Sequence, residues 1–132
     1  MSETRKITAP QTNELLALHI IGASSETSSK FFSPADDSLQ IGVHHWDSPK
    51  TIKPHSHARK RHTVPNYQEA LIILSGSVTA SFHSDDGKIL AEVKASGGDI
   101  LVIYNCVHSF KSDDKQTKII EIKQGPYEDF RQ

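Results

Sequence analysis

From Leu39 onward, short apolar runs alternate with turn residues. Ser38–Trp46 (SLQIGVHHW), Thr51–His57 (TIKPHSH), Glu69–His83 (EALIILSGSVTASFH), Lys88–Ala95 (KILAEVKA), Ile100–Tyr104 (ILVIY) and Thr117–Gln124 (TKIIEIKQ) all have strand length and composition. The Glu69–His83 run is a pair of strand segments folding about Ser75-Gly76. Between the runs lie DSPK, Ser84-Asp85-Asp86-Gly87, Ser96-Gly97-Gly98-Asp99 and SDDKQ, and the Asp-Gly step predicts a hairpin. Gly42 marks a bulge or close approach. Upstream, residues 1–13 are polar and predict a mobile tail. Leu15–Ile21 (LLALHII) is an apolar run that we read as a strand, with His19 a packing or edge residue. GASSETSSK is a loop, FFSPADDS holds a turn, and Phe31-Phe32 is expected over one end of the core. No repeat, linker or amphipathic helix is present in the pattern. It predicts an all-β sandwich or barrel.

Two stretches carry the candidate chemistry. Lys53–Gly76 contains His55, His57 and Glu69, and Gly98–Phe110 ends near His108. Residues two apart in a strand share a face. His55 and His57 can therefore aim into one cavity if 54–58 is extended, and Pro54 favours extended backbone before it. Glu69 shares the core-facing side with Leu71 and Ile73, where a carboxylate needs a partner. Three imidazoles and one carboxylate suit one divalent transition metal: iron, manganese, nickel, cobalt or zinc. The plainer readings are loop histidines, a strand-edge glutamate and a core histidine bonded to a carbonyl.

These stretches resemble the two motifs of the cupin superfamily. His55-Ser56-His57 matches its HxH, and Glu69-ALIILS-Gly76 matches its glutamate, six residues and glycine. Eleven residues separate His57 from Glu69, more than is usual there, which implies an enlarged loop (ARKRHTVPNYQ) at the mouth of the site. In the second motif YNCV stands where a Pro-Gly turn is usual, and His108 comes one residue early. The resemblance spans about Leu39 to Tyr127. It implies a cupin double-stranded β-helix, a jelly-roll barrel of two antiparallel sheets, over residues 39–132. Residues 1–38 would be an N-terminal extension, a polar tail plus an edge or swapped strand. The implied metal ligands are His55, His57, Glu69 and His108.

Other residues extend the picture. His44 and His45 point to opposite faces of one strand, so one faces the interior as a base or substrate contact, or else packs. With Tyr104 they are the catalytic candidates. Arg59, Lys60, Arg61 and His62 form either a solvated basic run or an anion clamp in which Arg59 and Arg61 fork a carboxylate or phosphate. Tyr67, Gln68 and Tyr104 are candidates for the pocket mouth. Trp46 is read as packing. Cys106 is read as a small buried hydrophobe, with a thiolate ligand as the alternative.

The chain has 132 residues, enough for one domain with a real core. A formal net charge of −1 points to neither nucleic acid nor an anionic membrane. There is no apolar run of membrane-spanning length and no signal-peptide pattern, and the single cysteine excludes an internal disulfide. Together these features predict a cytoplasmic protein. Cupin folds serve many reactions, so three functions are carried forward. One is a metal-dependent enzyme (oxygenase, isomerase or lyase) acting on a small polar or anionic metabolite. Another is a sugar or sugar-nucleotide cupin of cell-envelope polysaccharide synthesis, suggested by the likeness of the closing IIEIKQGPYED. The third is a non-catalytic small-ligand module. A homodimer formed through edge strands or a swapped Leu15–Ile21 is also expected.

Overall fold

A computed structural model describes residues 1–64 and 66–126. The described chain is all-β, apart from a single short 3-10 turn at Ala23–Ser25. Its strands are β1 (Glu3–Thr8), β2 (Leu15–Ile21), β3 (Lys30–Phe31), β4 (Gly42–Val43), β5 (Glu69–Ser75), β6 (Ser77–His83), β7 (Ile89–Ser96), β8 (Ile100–Ile103), β9 (Val107–Ser112) and β10 (Lys118–Lys123). They form a five-stranded sheet in the order β1-β2-β8-β5-β10, a three-stranded sheet β7-β6-β9 and a β3-β4 ribbon. All pairings are antiparallel.

The two larger sheets face each other. Leu71, Ile73, Leu101 and Ile103 from one meet Val78, Ala80, Phe82 and Ala95 from the other in a single buried core. The alternation of β6 (SVTASFH) explains this, since Val78, Ala80 and Phe82 are two apart and all point inward. The outer face of the five-stranded sheet carries a second cluster, Leu18, Ile20, Ala23 and Val102, covered in part by Phe32 and Ile41. Phe32 therefore packs, whereas Phe31 is exposed.

Gly76 turns the chain from one sheet into the other. Its φ is +76°, and a Cβ there would lie 2.7 Å from Thr117 Cα. A side chain would thus meet both strain and backbone overlap.

Four sequence expectations differ from the structure. The expected tail contains β1, whose backbone bonds satisfy one edge of β2, and β2 itself lies between β1 and β8. Only Gly42–Val43 of Ser38–Trp46 is a strand. Thr51–His57 forms none: residues 49–64 have neither helix nor strand, and 44–64 are all exposed. Pro54 lacks a ladder donor, and with Ile52, Ala58 and Val64 as its apolar residues this stretch has little to bury. His108 lies in β9 rather than at the end of β8. The motif end at Tyr127 and the last residues of IIEIKQGPYED lie outside the described residues.

Candidate functional site

Glu69 opens β5, and its side chain lies on the same inward row as Leu71 and Ile73. His108 is the second residue of β9 and pairs across the sheet with the fully buried Phe82, so it too points between the sheets. The two meet at the open end of the sandwich, with His108 Nε2 2.5 Å from Glu69 Oε1. The other ring nitrogen, Nδ1, lies 2.8 Å from the Cys106 carbonyl oxygen. That contact fixes the ring so that Nε2 faces the carboxylate.

The electrostatics follow the geometry. A hydrogen bond with the Cys106 side chain, then one with Glu69, raises the His108 pKa to about 10 against the opposing effect of burial. Glu69 is lowered, chiefly by its bond to His108, with burial opposing and Lys123 assisting. Lys123 stands directly opposite Glu69 in the β10–β5 register. The pair lines a cavity of about 200 Å³, together with Tyr67, Gln68, Ile103, Tyr104, Cys106 and Lys123.

A polar network forms one wall. Gln68 is buried, and its Oε1 accepts from Ser38 Oγ (2.6 Å) and Leu39 N–H (2.9 Å). Its Nε2 donates to Asp37 Oδ2 at 3.1 Å, and its backbone N–H donates to Gln124 Oε1 at 2.8 Å. Tyr104 donates its hydroxyl to the same Asp37 oxygen, and burial followed by this contact raises its pKa. Gln68 and Tyr104 thus line the cavity, while their polar atoms are engaged by the protein. Tyr67 lines it and is exposed.

The remaining candidates lie apart. The His55 and His57 rings are 5.4 Å apart at 81°, and His55 Nδ1 lies 2.9 Å from the Lys53 carbonyl oxygen. Both side chains are exposed. Among the described residues, no three His, Cys, Asp or Glu side chains form a group that could hold a metal. Two candidate pairs therefore exist, His55–His57 and Glu69–His108, with no such group joining them. Arg59, Lys60, Arg61 and His62 are exposed on the same irregular stretch, and none lines the cavity. His44 packs against Trp46 and Phe31, while His45 pairs with Asp47. Neither histidine reaches the cavity. Cys106 packs against the inter-sheet core.

Sequence reasoning missed Asp37, Gln124 and the partner of His19. His19 Nε2 lies 2.9 Å from Asp99 Oδ2, and both residues are buried. A histidine inside a wholly apolar run, with one aspartate closing a glycine turn, was the available signal.

No protein-family model, no curated protein and no solved structure matches this chain.

His55, His57, Glu69 and His108 are donor types that a transition metal accepts, but among the described residues they form no joined group. His108 and His55 each have Nδ1 next to a backbone carbonyl, an outer-sphere contact characteristic of ligating imidazoles. Glu69 supplies a carboxylate at the same end of the sandwich as His108.

Proposed function

We propose that this chain is a cupin, a jelly-roll barrel that binds one divalent transition metal and acts as a metal-dependent enzyme on a small polar or anionic metabolite. The ligands in this reading are His55, His57, Glu69 and His108. The observation that carries it is the Glu69–His108 contact, made by one residue from each facing sheet in a partly buried cavity. In this reading the carboxylate and imidazole converging there form one half of the site, and the HxH pair on the exposed irregular stretch forms the other. When bound, the metal would act as a Lewis acid toward a substrate oxygen or a water. The protein's part is to aim Nε2 of His108 through the Cys106 carbonyl. Gln68, held by Asp37 and Gln124, fixes the start of β5 and hence Glu69. Lys123 adds positive charge beside the cavity, which favours an anionic ligand.

The test is elemental analysis of untagged protein purified without chelator, beside its His57→Ala and His108→Ala variants. About one iron, manganese, nickel, cobalt or zinc per chain, lost in both variants, supports the reading. Wild-type protein that neither contains nor takes up any of these metals overturns it. We also propose a homodimer. Light scattering giving about twice 14.6 kDa supports that, and a single-chain mass refutes it.

A further inference from the structure

The cavity at Glu69 and His108 has a neighbour. Asn105 and Cys106, on the β8–β9 turn, line it and also line a larger groove of about 1050 Å³ at the same end of the sandwich. The other walls of the groove are the β1–β2 turn, with Gln11 and Glu14, and the β6–β7 hairpin, with Asp85 and Leu90. By itself the inner cavity, at about 200 Å³, falls below the roughly 300–1,000 Å³ of pockets that bury a small-molecule ligand. The groove supplies the missing room on the far side of Asn105.

The border between the two is pinned on both sides of Asn105. Tyr104 N–H donates to the Leu16 carbonyl at 3.0 Å, and its hydroxyl donates to Asp37. Cys106 N–H closes onto the Tyr104 carbonyl at 2.7 Å, a three-residue turn with Asn105 at its centre. The Cys106 carbonyl oxygen lies 2.8 Å from His108 Nδ1. Asn105 itself is exposed, and its amide has no hydrogen-bond partner among the described residues. In the groove Asp86 is taken up by Ser84, whereas the side chains of Gln11, Glu14 and Asp85 have no partner among the described residues. Leu16, Leu90 and Val107 supply apolar surface.

We propose that Asn105 is a specificity-determining residue and that the ligand is an elongated, polyhydroxylated monoacid. This rests on the Glu69–His108 cavity being the active site. The acid group occupies the cavity, where Lys123 adds positive charge. The rest of the ligand crosses Asn105, whose amide both donates and accepts, and enters the groove. There its hydroxyls donate to Glu14 and Asp85 and bond with the Gln11 amide, while its C–H faces meet the aliphatic side chains. The two carboxylates disfavour a second acid group at that end. A purely aliphatic tail would cover these polar groups without giving them partners, which costs affinity.

Isothermal titration calorimetry on the full chain compares three probes. Gluconate is the short acid, lactobionate is a gluconate extended by a galactosyl group, and lactose has the sugar without the acid. Lactobionate should bind about tenfold tighter than gluconate, the worth of one or two added hydrogen bonds, and lactose should bind weakest. Asn105→Ala and Asp85→Ala should each weaken lactobionate several-fold and leave gluconate unchanged, whereas a merely structural role would weaken both acids together. His108→Ala should weaken both. Equal affinity for the two acids, or an Asn105→Ala variant that leaves their ratio unchanged, overturns the groove proposal. The cavity reading survives that result if gluconate still binds and His108→Ala abolishes it. Binding of neither acid overturns both. Tighter binding of ε-aminocaproate than of lactobionate would assign the groove to a cation and overturn the proposal as well.

Discussion

Glu69 Oε1 lies 2.5 Å from His108 Nε2, joining the first residue of β5 to the second of β9 across the two facing sheets. In metal-free protein this contact makes stability depend on pH in both directions. His108 is raised to about 10 from 6.5, so its contribution is whole below 6.5 and is lost as pH climbs through about 10. Glu69 is lowered from 4.5, so its contribution is whole above 4.5 and is lost as pH falls through its folded value. Urea midpoints of chelator-treated protein should therefore be highest between these limits. In Glu69→Gln the His108 pKa, read by NMR, should fall yet stay above 6.5, because the Cys106 contacts persist. An unchanged His108 titration would refute the pairing.

Phe82 underlies the same site. It is fully buried and stands directly across β6–β9 from His108. Phe82→Ala should cost about 3–5 kcal/mol in urea unfolding, as large aromatic truncations do. The cavity left behind should also loosen His108 and reduce metal uptake. Phe82→Leu should retain most of both. Equal metal uptake by wild type and the alanine variant would show that the core does not position His108.

The strands that bury apolar residues on one or both faces were legible in the sequence. Leu15–Ile21, the Glu69–His83 pair, Lys88–Ala95, Ile100–Tyr104 and Thr117–Gln124 all appear with small shifts at their ends. The inward direction of Glu69 was also readable, since it follows from period-two alternation with Leu71 and Ile73. What was not readable depended on partners distant in sequence. β1 is polar and exists because β2 offers it an edge. Thr51–His57 has a strand-like pattern but makes no ladder bonds, so its pattern alone forms nothing. The Asp37–Gln68–Tyr104 network joins residues up to 67 positions apart, with no local motif to announce it.

Asp99, which pairs with His19, gives a test independent of the proposed metal ligands. Burial pushes its carboxyl up, but bonds from Ser96 N–H, Gly22 N–H and His19 together leave it lowered from 3.8. Its contribution is present above 3.8 and is lost as pH falls through the folded value. Asp99→Asn keeps the shape while removing the charge that His19 faces. It should destabilise by about 1–3 kcal/mol at neutral pH, the range for a compromised buried polar pair, and should flatten the acid limb of the stability profile. A variant as stable as wild type at neutral pH would show that the His19–Asp99 contact contributes nothing.

Two glycines with left-handed backbone separate strain from crowding. Gly87, in the Ser84–Lys88 hairpin, has φ +91°, and a Cβ there would meet nothing within 4 Å. Gly87→Ala should therefore cost only the left-handed backbone term, about 1–2 kcal/mol. Gly76 has φ +76°, and its Cβ would overlap Thr117, including the backbone Cα at 2.7 Å. Thr117 borders β10, so relief would require β10 to move away from β5, carrying Lys123 away from Glu69. Gly76→Ala should cost a further amount of about 1–3 kcal/mol beyond Gly87→Ala, and should lower the affinity of the site for metal while Gly87→Ala leaves it intact. Thermal and urea unfolding of the two variants, followed by metal titration, decide the matter. Equal costs for the two would mean that Thr117 yields freely and that the β5–β6 turn is not what holds β10 against the site.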